Sequence, residues 1–350
     1  MKRIVHLIPY HEIGGVEIAA RSLPTGNHGD LEFERNYLVR SPNSTVETGE
    51  YHGPAISLND PRAYWHAVWR LYRHPPDLLV ASLWRSALVL ICLKLLRPKT
   101  RVVIFLHLAH DVHHVDKIAN RVAMSLSDAI WADSSVTLQR RVPHSLHRKG
   151  RIISFLLDQR PLPEQHDPIP EFVFWGRLNA QKGLDRALAL VAGVLQHRQD
   201  ARFTIIGPNG GMEDYLRAQV AESGLRNHVV FKGRMPHEDI AGAARRASFY
   251  LQTSLDEGMA MSVVEAMQSG LVPVVTPVGE IARYCHDRSN AIFVHDNAAA
   301  VEAVLALLSD PDKYRRMSRA AATYWQAKPL YRDDFLIAAK ELIEGLAHTA

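Results

Sequence analysis

The sequence predicts an α/β protein built from two doubly wound, Rossmann-like domains facing a central cleft. Three observations carry this reading. A chain of 350 residues exceeds one ordinary hydrophobic core and suits two. Short runs rich in Val, Ile, Leu and Phe alternate with helical patterns twice along the chain, which is the signature of βαβ units. Between the two series lies a segment from Asp158 to Pro170 with four prolines and no apolar period, which suits neither helix nor strand. The domains are therefore expected at 1–160 and 161–328, with a terminal helix over 329–350 crossing back to the first domain.

In the first half, strands are expected at Arg3–Ile8, Asn36–Val39, Asp77–Ala81, Arg101–Leu106 and Ala129–Ala132, with Arg151–Leu156 closing the sheet. Helical patterns at Val16–Leu23, Ala63–Arg73 and Ser86–Leu96 fall between them. The second half repeats the scheme with strands at Phe172–Trp175, Arg202–Ile206, Val229–Phe231, Phe249–Gln252, Val272–Thr276 and Ile292–Val294. Two further helical patterns, Tyr314–Ala327 and Arg332–Ala347, flank a break at Pro329.

Composition narrows the function classes. Hydrophobic residues make up 47% and charged residues 22%, an ordinary balance that argues against disorder, and no fixed-period repeat is present. The most apolar stretch, Ser86–Leu96, is far shorter than the roughly 20 residues a membrane-spanning helix needs. Two cysteines, Cys92 and Cys285, do not suggest a disulfide framework, and a cytoplasmic setting fits. The formal charge of +4 suits anionic small molecules or lipid surfaces, and no nucleic-acid partner is expected.

Ligands of open parallel sheets bind beyond the carboxyl ends of strands, so the loops there carry the informative residues. After Phe249–Gln252 comes a loop holding Glu257 and Gly258, then Met259, Ala260 and a helix starting near Met261, with Ser262 and Glu265 in its first turns. The free N–H groups of that helix can receive a diphosphate, while Glu257 and Glu265 can accept hydrogen bonds from the hydroxyls of two sugars. Ser254 and Glu257 also fit a capping box, and a helical glutamate is often merely solvated.

Gly176-Arg177 and Lys182-Gly183 flank the turn after Phe172–Trp175, where Arg177 and Lys182 can neutralise a departing diphosphate without a metal. Gly207 in Ile206-Gly-Pro-Asn-Gly-Gly211 permits close backbone approach, and Gly14-Gly15 after the first strand does the same in domain one. His107, His110, His113 and His114 recur near one strand end, yet Asp111 stands where a helical zinc motif needs glutamate, so no metal is assigned. Asp310-Pro-Asp312 reads as a helix cap. In the helical pattern Ala63–Arg73, Trp65, Val68, Trp69 and Tyr72 share one face, read as packed on a sheet. The alternative is peripheral contact with anionic lipid at the inner face of a membrane.

Together, Gly14-Gly15, Gly176-Arg-Leu with Lys182-Gly183, and the Glu257/Glu265 pair resemble the retaining GT-B glycosyltransferases of family 4. The resemblance extends through Val229-Val-Phe-Lys-Gly233, Glu265-Ala-Met-Gln-Ser-Gly270 and Val272-Pro-Val-Val-Thr276, and is thinner in the first half. It implies an acceptor-side first domain, a nucleotide-sugar-binding second domain and sugar transfer with retained anomeric configuration. The donor is expected to be a UDP- or GDP-sugar, with no further cofactor. The acceptor is expected to be a saccharide or a lipid-linked one, in polysaccharide or glycoconjugate synthesis.

On this resemblance Arg177 and Lys182 meet the diphosphate, Glu265 the ribose, Glu257 the transferred sugar, the backbone near Arg234 the base, and His107 or His110 the donor sugar. Ala260 departs from the family's second glycine in Gly-Phe-Gly. Readings kept open are an epimerase or phosphorylase on the same scaffold and a degenerate sugar-nucleotide-binding protein. A dinucleotide dehydrogenase is disfavoured because no GxGxxG follows the first strand.

Overall fold

The computed structural model describes residues 1–11, 15–41, 46–111 and 113–345. The chain divides into two compact units, one formed by Met1–Leu157 with the segment from Pro329 onward, the other by Asp158–Lys328.

Among the described residues the first unit holds eight strands: β1 (Lys2–Ile8), β2 (Gly26–His28), β3 (Leu31–Tyr37), β4 (Glu50–His52), β5 (Leu78–Ser82), β6 (Arg101–Leu106), β7 (Ala129–Ala132) and β8 (Gly150–Ile152). Their order is β3-β1-β5-β6-β7-β8, with β2 antiparallel and β4 parallel on the outer edge of β3. The sheet reverses its winding between β1 and β5, and the carboxyl ends of those strands lie side by side.

The second unit contains β9 (Glu171–Trp175), β10 (Arg202–Ile206), β11 (Val229–Gly233), β12 (Phe249–Gln252), β13 (Val272–Val275) and β14 (Ile292–Phe293), all parallel. Their order, β11-β10-β9-β12-β13-β14, is that of a doubly wound dinucleotide fold and puts the switch point between β9 and β12. Near-continuous burial of Phe172, Val173, Phe174 and Trp175 is what helices on both faces of a parallel sheet require.

Three expectations about elements need correction. The strand expected at Asn36–Val39 is Leu31–Tyr37. Its charged residues hid it, because Glu34 is paired with Arg3 at 2.6 Å and buried Arg35 is held by Glu50 and by the carbonyls of Ala20 and Leu23. The closing strand expected at Arg151–Leu156 stops at Ile152, and the Leu156 carbonyl instead accepts from the Tyr331 N–H at 2.7 Å. That contact brings the helix Tyr331–Glu344 onto the first sheet, where Phe335 packs among His6, Phe33 and Trp131.

The third correction concerns the helix Pro61–Arg73. Its buried side is Ala63, Ala67, Val68 and Leu71, while Trp65, Trp69 and Tyr72 are 70%, 49% and 41% exposed. The two candidate stripes share Val68 and otherwise lie on opposite sides of the helix. Small alanines allow close approach to the core that includes Val89 and Leu93, so the aromatic stripe is the one left outside.

Candidate active site

The carboxyl ends of β9 and β10 are pressed together by glycine. Gly207 has φ +150°, and a Cβ there would stand 1.8 Å from the Gly176 carbonyl oxygen. The missing side chain at Gly207, read from sequence as room for a ligand, is thus required by the chain's own backbone. From this junction Arg177 projects exposed, and neither it nor the exposed Arg234 after β11 forms an ion pair with any described residue.

The turn Ala180–Lys182 is stitched to the loop after β12. Leu255 N–H donates to the Gln181 carbonyl at 2.8 Å, Thr253 Oγ1 donates to the Gly183 carbonyl at 2.6 Å, and Arg186 donates to the Thr253 carbonyl. Gly183 sits at φ +58° with Thr253 O where a Cβ would be, at 2.2 Å. This stitching sets the Lys182 Nζ 2.7 Å from Glu257 Oε1. Lys182 and Glu257, assigned from sequence to different parts of a ligand, are partners of each other.

Glu257 is buried, and its Oε1 also accepts from Ser254 Oγ at 2.6 Å and Gln252 Nε2 at 3.0 Å. These contacts all fall on Oε1, so Oε2 is left without a hydrogen bond among the described residues. Ser254 therefore bonds the carboxylate of Glu257 directly. Behind the loop, Gly279 at φ +57° leaves room for the Glu257 carbonyl, 1.9 Å from where a Cβ would stand.

Gln252 carries the arrangement further. Its Oε1 accepts from Tyr250 Oη at 2.7 Å and from Ser262 Oγ at 2.9 Å. Tyr250 Oη also lies 3.2 Å from the Trp175 carbonyl, and its pKa is pushed well above the ordinary range by burial. The Trp175 indole N–H donates to Glu265 Oε2 at 2.9 Å. The two glutamates are thus joined through Gln252, Tyr250 and Trp175. Sequence reasoning gave roles to none of these three; the available signal was a polar side chain, Gln252, ending an apolar strand.

Glu265 lies in the helix Met261–Gln268, whose first N–H groups have no intrahelical acceptor. Ala260 precedes this helix at φ +54°, ψ 63°. It holds the left-handed conformation natural to glycine, at a strain of roughly 1–2 kcal/mol for an L residue. Gly258, Met259, Met261 and Ser262 line the same loop and helix start, half-buried.

In the first unit Gly14 lies outside the described residues, and Gly15 is the exposed first residue of the helix Gly15–Ser22. His107 follows β6 and is buried; its Nε2 is 2.9 Å from Ser82 Oγ, which in turn is 2.8 Å from His6 Nε2. Burial drives the His107 pKa down to about 3 and that of His6 well below its usual value, so both rings are neutral near pH 7. His6 and Ser82 were missed, although a histidine within Ile4-Val-His-Leu-Ile8 is an informative interruption of a buried strand.

His110, His113 and His114 are exposed, and His113 caps its helix by accepting from the Asp116 N–H at 3.0 Å. Asp111 pairs with Arg141 at 2.9 Å. No group of three or more His, Cys, Asp or Glu converges as a metal site among the described residues. Asp310 accepts from the Lys313 N–H as a helix cap.

Residues 159–324 match the model of the family described as glycosyl transferases group 1. This part of the chain is similar to that family. Among glycosyl transferases of known role, the GDP-mannose:cellobiosyl-diphosphopolyprenol alpha-mannosyltransferase of Xanthomonas oryzae pv. oryzae is 28% identical over 155 residues, 43% of this chain and 41% of that one. The 2-deoxystreptamine glucosyltransferase of Streptomyces kanamyceticus is 32% identical over 161 residues, 46% of this chain and 38% of that one. The chain thus spans about two fifths of the length of these curated relatives. HepE of Anabaena, solved with UDP and glucose, superposes with a TM-score of 0.74 over 99% of both chains at 16% identity. The chain therefore has the fold of GT-B glycosyltransferase structures, two parallel α/β sheets.

Proposed function

We propose that the protein is a retaining glycosyltransferase that moves a hexose-type sugar from a nucleoside-diphosphate sugar to a hydroxyl of a saccharide or glycolipid. The observation that carries this reading is the buried Glu257 carboxylate, held by Lys182, Ser254 and Gln252 on one oxygen and open on the other. A carboxylate fixed in this way beside a lysine suits a ligand that brings hydroxyls and phosphates together.

In this reading the diphosphate is met by Arg177, Lys182 and the N–H groups of the helix Met261–Gln268, which stabilise charge as the bond to the sugar breaks. Glu257 Oε2 accepts from a hydroxyl of the transferred sugar, Glu265 from the ribose, and the backbone at Arg234 meets the base. A leaving phosphate oxygen takes the proton of the acceptor hydroxyl. His107 serves as a neutral hydrogen-bonding group toward a sugar hydroxyl. The donors named for the mannosyltransferase relative and bound by HepE support a GDP- or UDP-sugar. The diphosphopolyprenol in that relative's name supports a lipid-linked acceptor in glycoconjugate synthesis.

A binding-only protein is the weaker reading. It draws on the altered Met259-Ala260-Met261 segment, in which Ala260 keeps the left-handed backbone a glycine would give. The test is thermal stabilisation by UDP-, GDP- and ADP-sugars followed by transfer assays. One donor should raise the melting temperature, Glu265→Ala should reduce that shift, and Arg177→Ala should lower transfer. Wild-type transfer from both variants would sink the assignment.

A further inference from the structure

We infer that the outer face formed by the helices Pro61–Arg73 and Leu83–Leu96 docks on an anionic lipid bilayer, with lipid hydrocarbon filling the groove beside them. The groove encloses about 820 Å³ and is lined by Leu58, Tyr64, Trp65, Trp84, Leu88 and Leu96, almost without polar surface. Its wall is open to solvent. Trp65 is 70% exposed, and Leu95 and Leu96 at the end of the second helix are 66% and 55% exposed. A contiguous apolar surface of this kind on a soluble domain marks an interaction site.

Charge identifies the occupant. The two helices and the residue after the second carry Arg62, Arg70, Arg73, Arg85, Lys94 and Arg97 and no acidic residue, with Arg62 paired to Asp60 and Lys94 to Asp128. Three of these cations lie against aromatic rings of this face. Arg73 is 5.1 Å from the Trp69 ring centre, Arg97 is 4.5 Å from that of Tyr72, and Arg85 is 4.6 Å from that of Trp84. A ligand satisfying both sets of groups must place anions within a few ångströms of hydrocarbon. That is the chemistry of a phospholipid at the boundary between headgroup and chain, where Trp and Tyr settle and Arg meets phosphate. A helix with Trp65, Trp69 and Tyr72 on its free side and Arg73 beside them suits lying in that plane.

The inference does not depend on sugar transfer, because binding is read without turnover. The test uses the whole chain with vesicles of phosphatidylcholine alone or with about a third phosphatidylglycerol. Cys92 lines the groove and is exposed, whereas Cys285 is buried with its thiol pKa raised by desolvation, so a water-soluble maleimide reports on the groove. The protein should sediment with the anionic vesicles and not with the neutral ones, and alkylation of Cys92 should slow when they are added. Arg73→Glu should weaken partition by at least about fivefold, the factor for about 1 kcal/mol per basic side chain near the surface. Trp65→Ser should weaken it without changing the melting temperature. The idea fails if the protein ignores anionic vesicles, or if it binds them with Cys92 still freely alkylated. It fails equally if Trp65→Ser dissolves a dimer in solution, which would give the face to a second copy, or if neither substitution changes binding.

Discussion

Both units reverse their winding beside their first long strand yet equip the strand ends differently. At the switch point of the second sheet, between β9 and β12, glycines bring backbone onto backbone and a Lys182–Glu257 ion pair stands in the loop. At the corresponding point of the first sheet, between β1 and β5, the groups are uncharged: His6, Ser82 and His107, linked through one hydroxyl. The scaffold does not dictate the chemistry. One set of strand ends carries a buried ion pair, the other neutral hydrogen-bonding groups, and a few residues make the difference.

The comparison can be broken most severely at Glu257. Glu257→Ala removes the partner of Lys182 and should lower transfer by about 10²-fold or more, read as kcat in a donor hydrolysis or transfer assay. His107→Gln, with no such charge to unbalance, should cost less. Equal losses would erase the distinction between the two strand-end sets.

Acid tests the uncharged set. The pKa of His107 is about 3 in the folded chain against an ordinary 6.5, so below pH 6.5 the unfolded chain binds the extra proton. Stability contributed in this way is complete above about pH 6.5 and is lost as the pH falls toward 3, at up to about 1.4 kcal/mol per pH unit. His6 acts in the same direction. Urea titrations of His107→Gln at pH 4 to 7 should show a shallower slope than the parent.

Two smaller effects sharpen the comparison. Ser82→Ala leaves the Nε2 atoms of His6 and His107 without their shared partner and should destabilise by about 1–3 kcal/mol in thermal melts. Ala260→Gly relaxes a left-handed residue by about 1–2 kcal/mol, offset by about 0.4–1 kcal/mol of added unfolded-chain entropy. The net gain should therefore lie between nothing and about 1.6 kcal/mol.

Much of the second sheet could be read from sequence because its strands are short, uniformly apolar and buried on both faces; Arg202–Ile206 and Phe249–Gln252 match residue for residue. Strand β3 resisted because Glu32, Glu34 and Arg35 interrupt it, and their pairing is invisible without Arg3 and Glu50 in place. The helix Pro61–Arg73 misled for another reason. Its aromatics outweigh its alanines in any hydrophobic count, and size was taken for burial. At the site, residue types at loop positions marked Arg177, Lys182, Glu257 and Glu265, but spacing holds no information on hydrogen bonds across the sheet. The pairing of Lys182 with Glu257, and the path through Gln252, Tyr250 and Trp175, needed coordinates.

The Lys182–Glu257 pair has one more consequence. Each charge is the other's partner, so an anion that draws Lys182 away leaves the buried Glu257 carboxylate with only the neutral donors Ser254 and Gln252. Free phosphate or a bare nucleoside diphosphate offers the lysine a new partner and the glutamate none. A sugar diphosphate offers phosphate to one and hydroxyls to the other in the same step. On the proposed donor assignment, the pair is expected to work as a coincidence detector, answering weakly to either half of a sugar diphosphate and fully to the two joined.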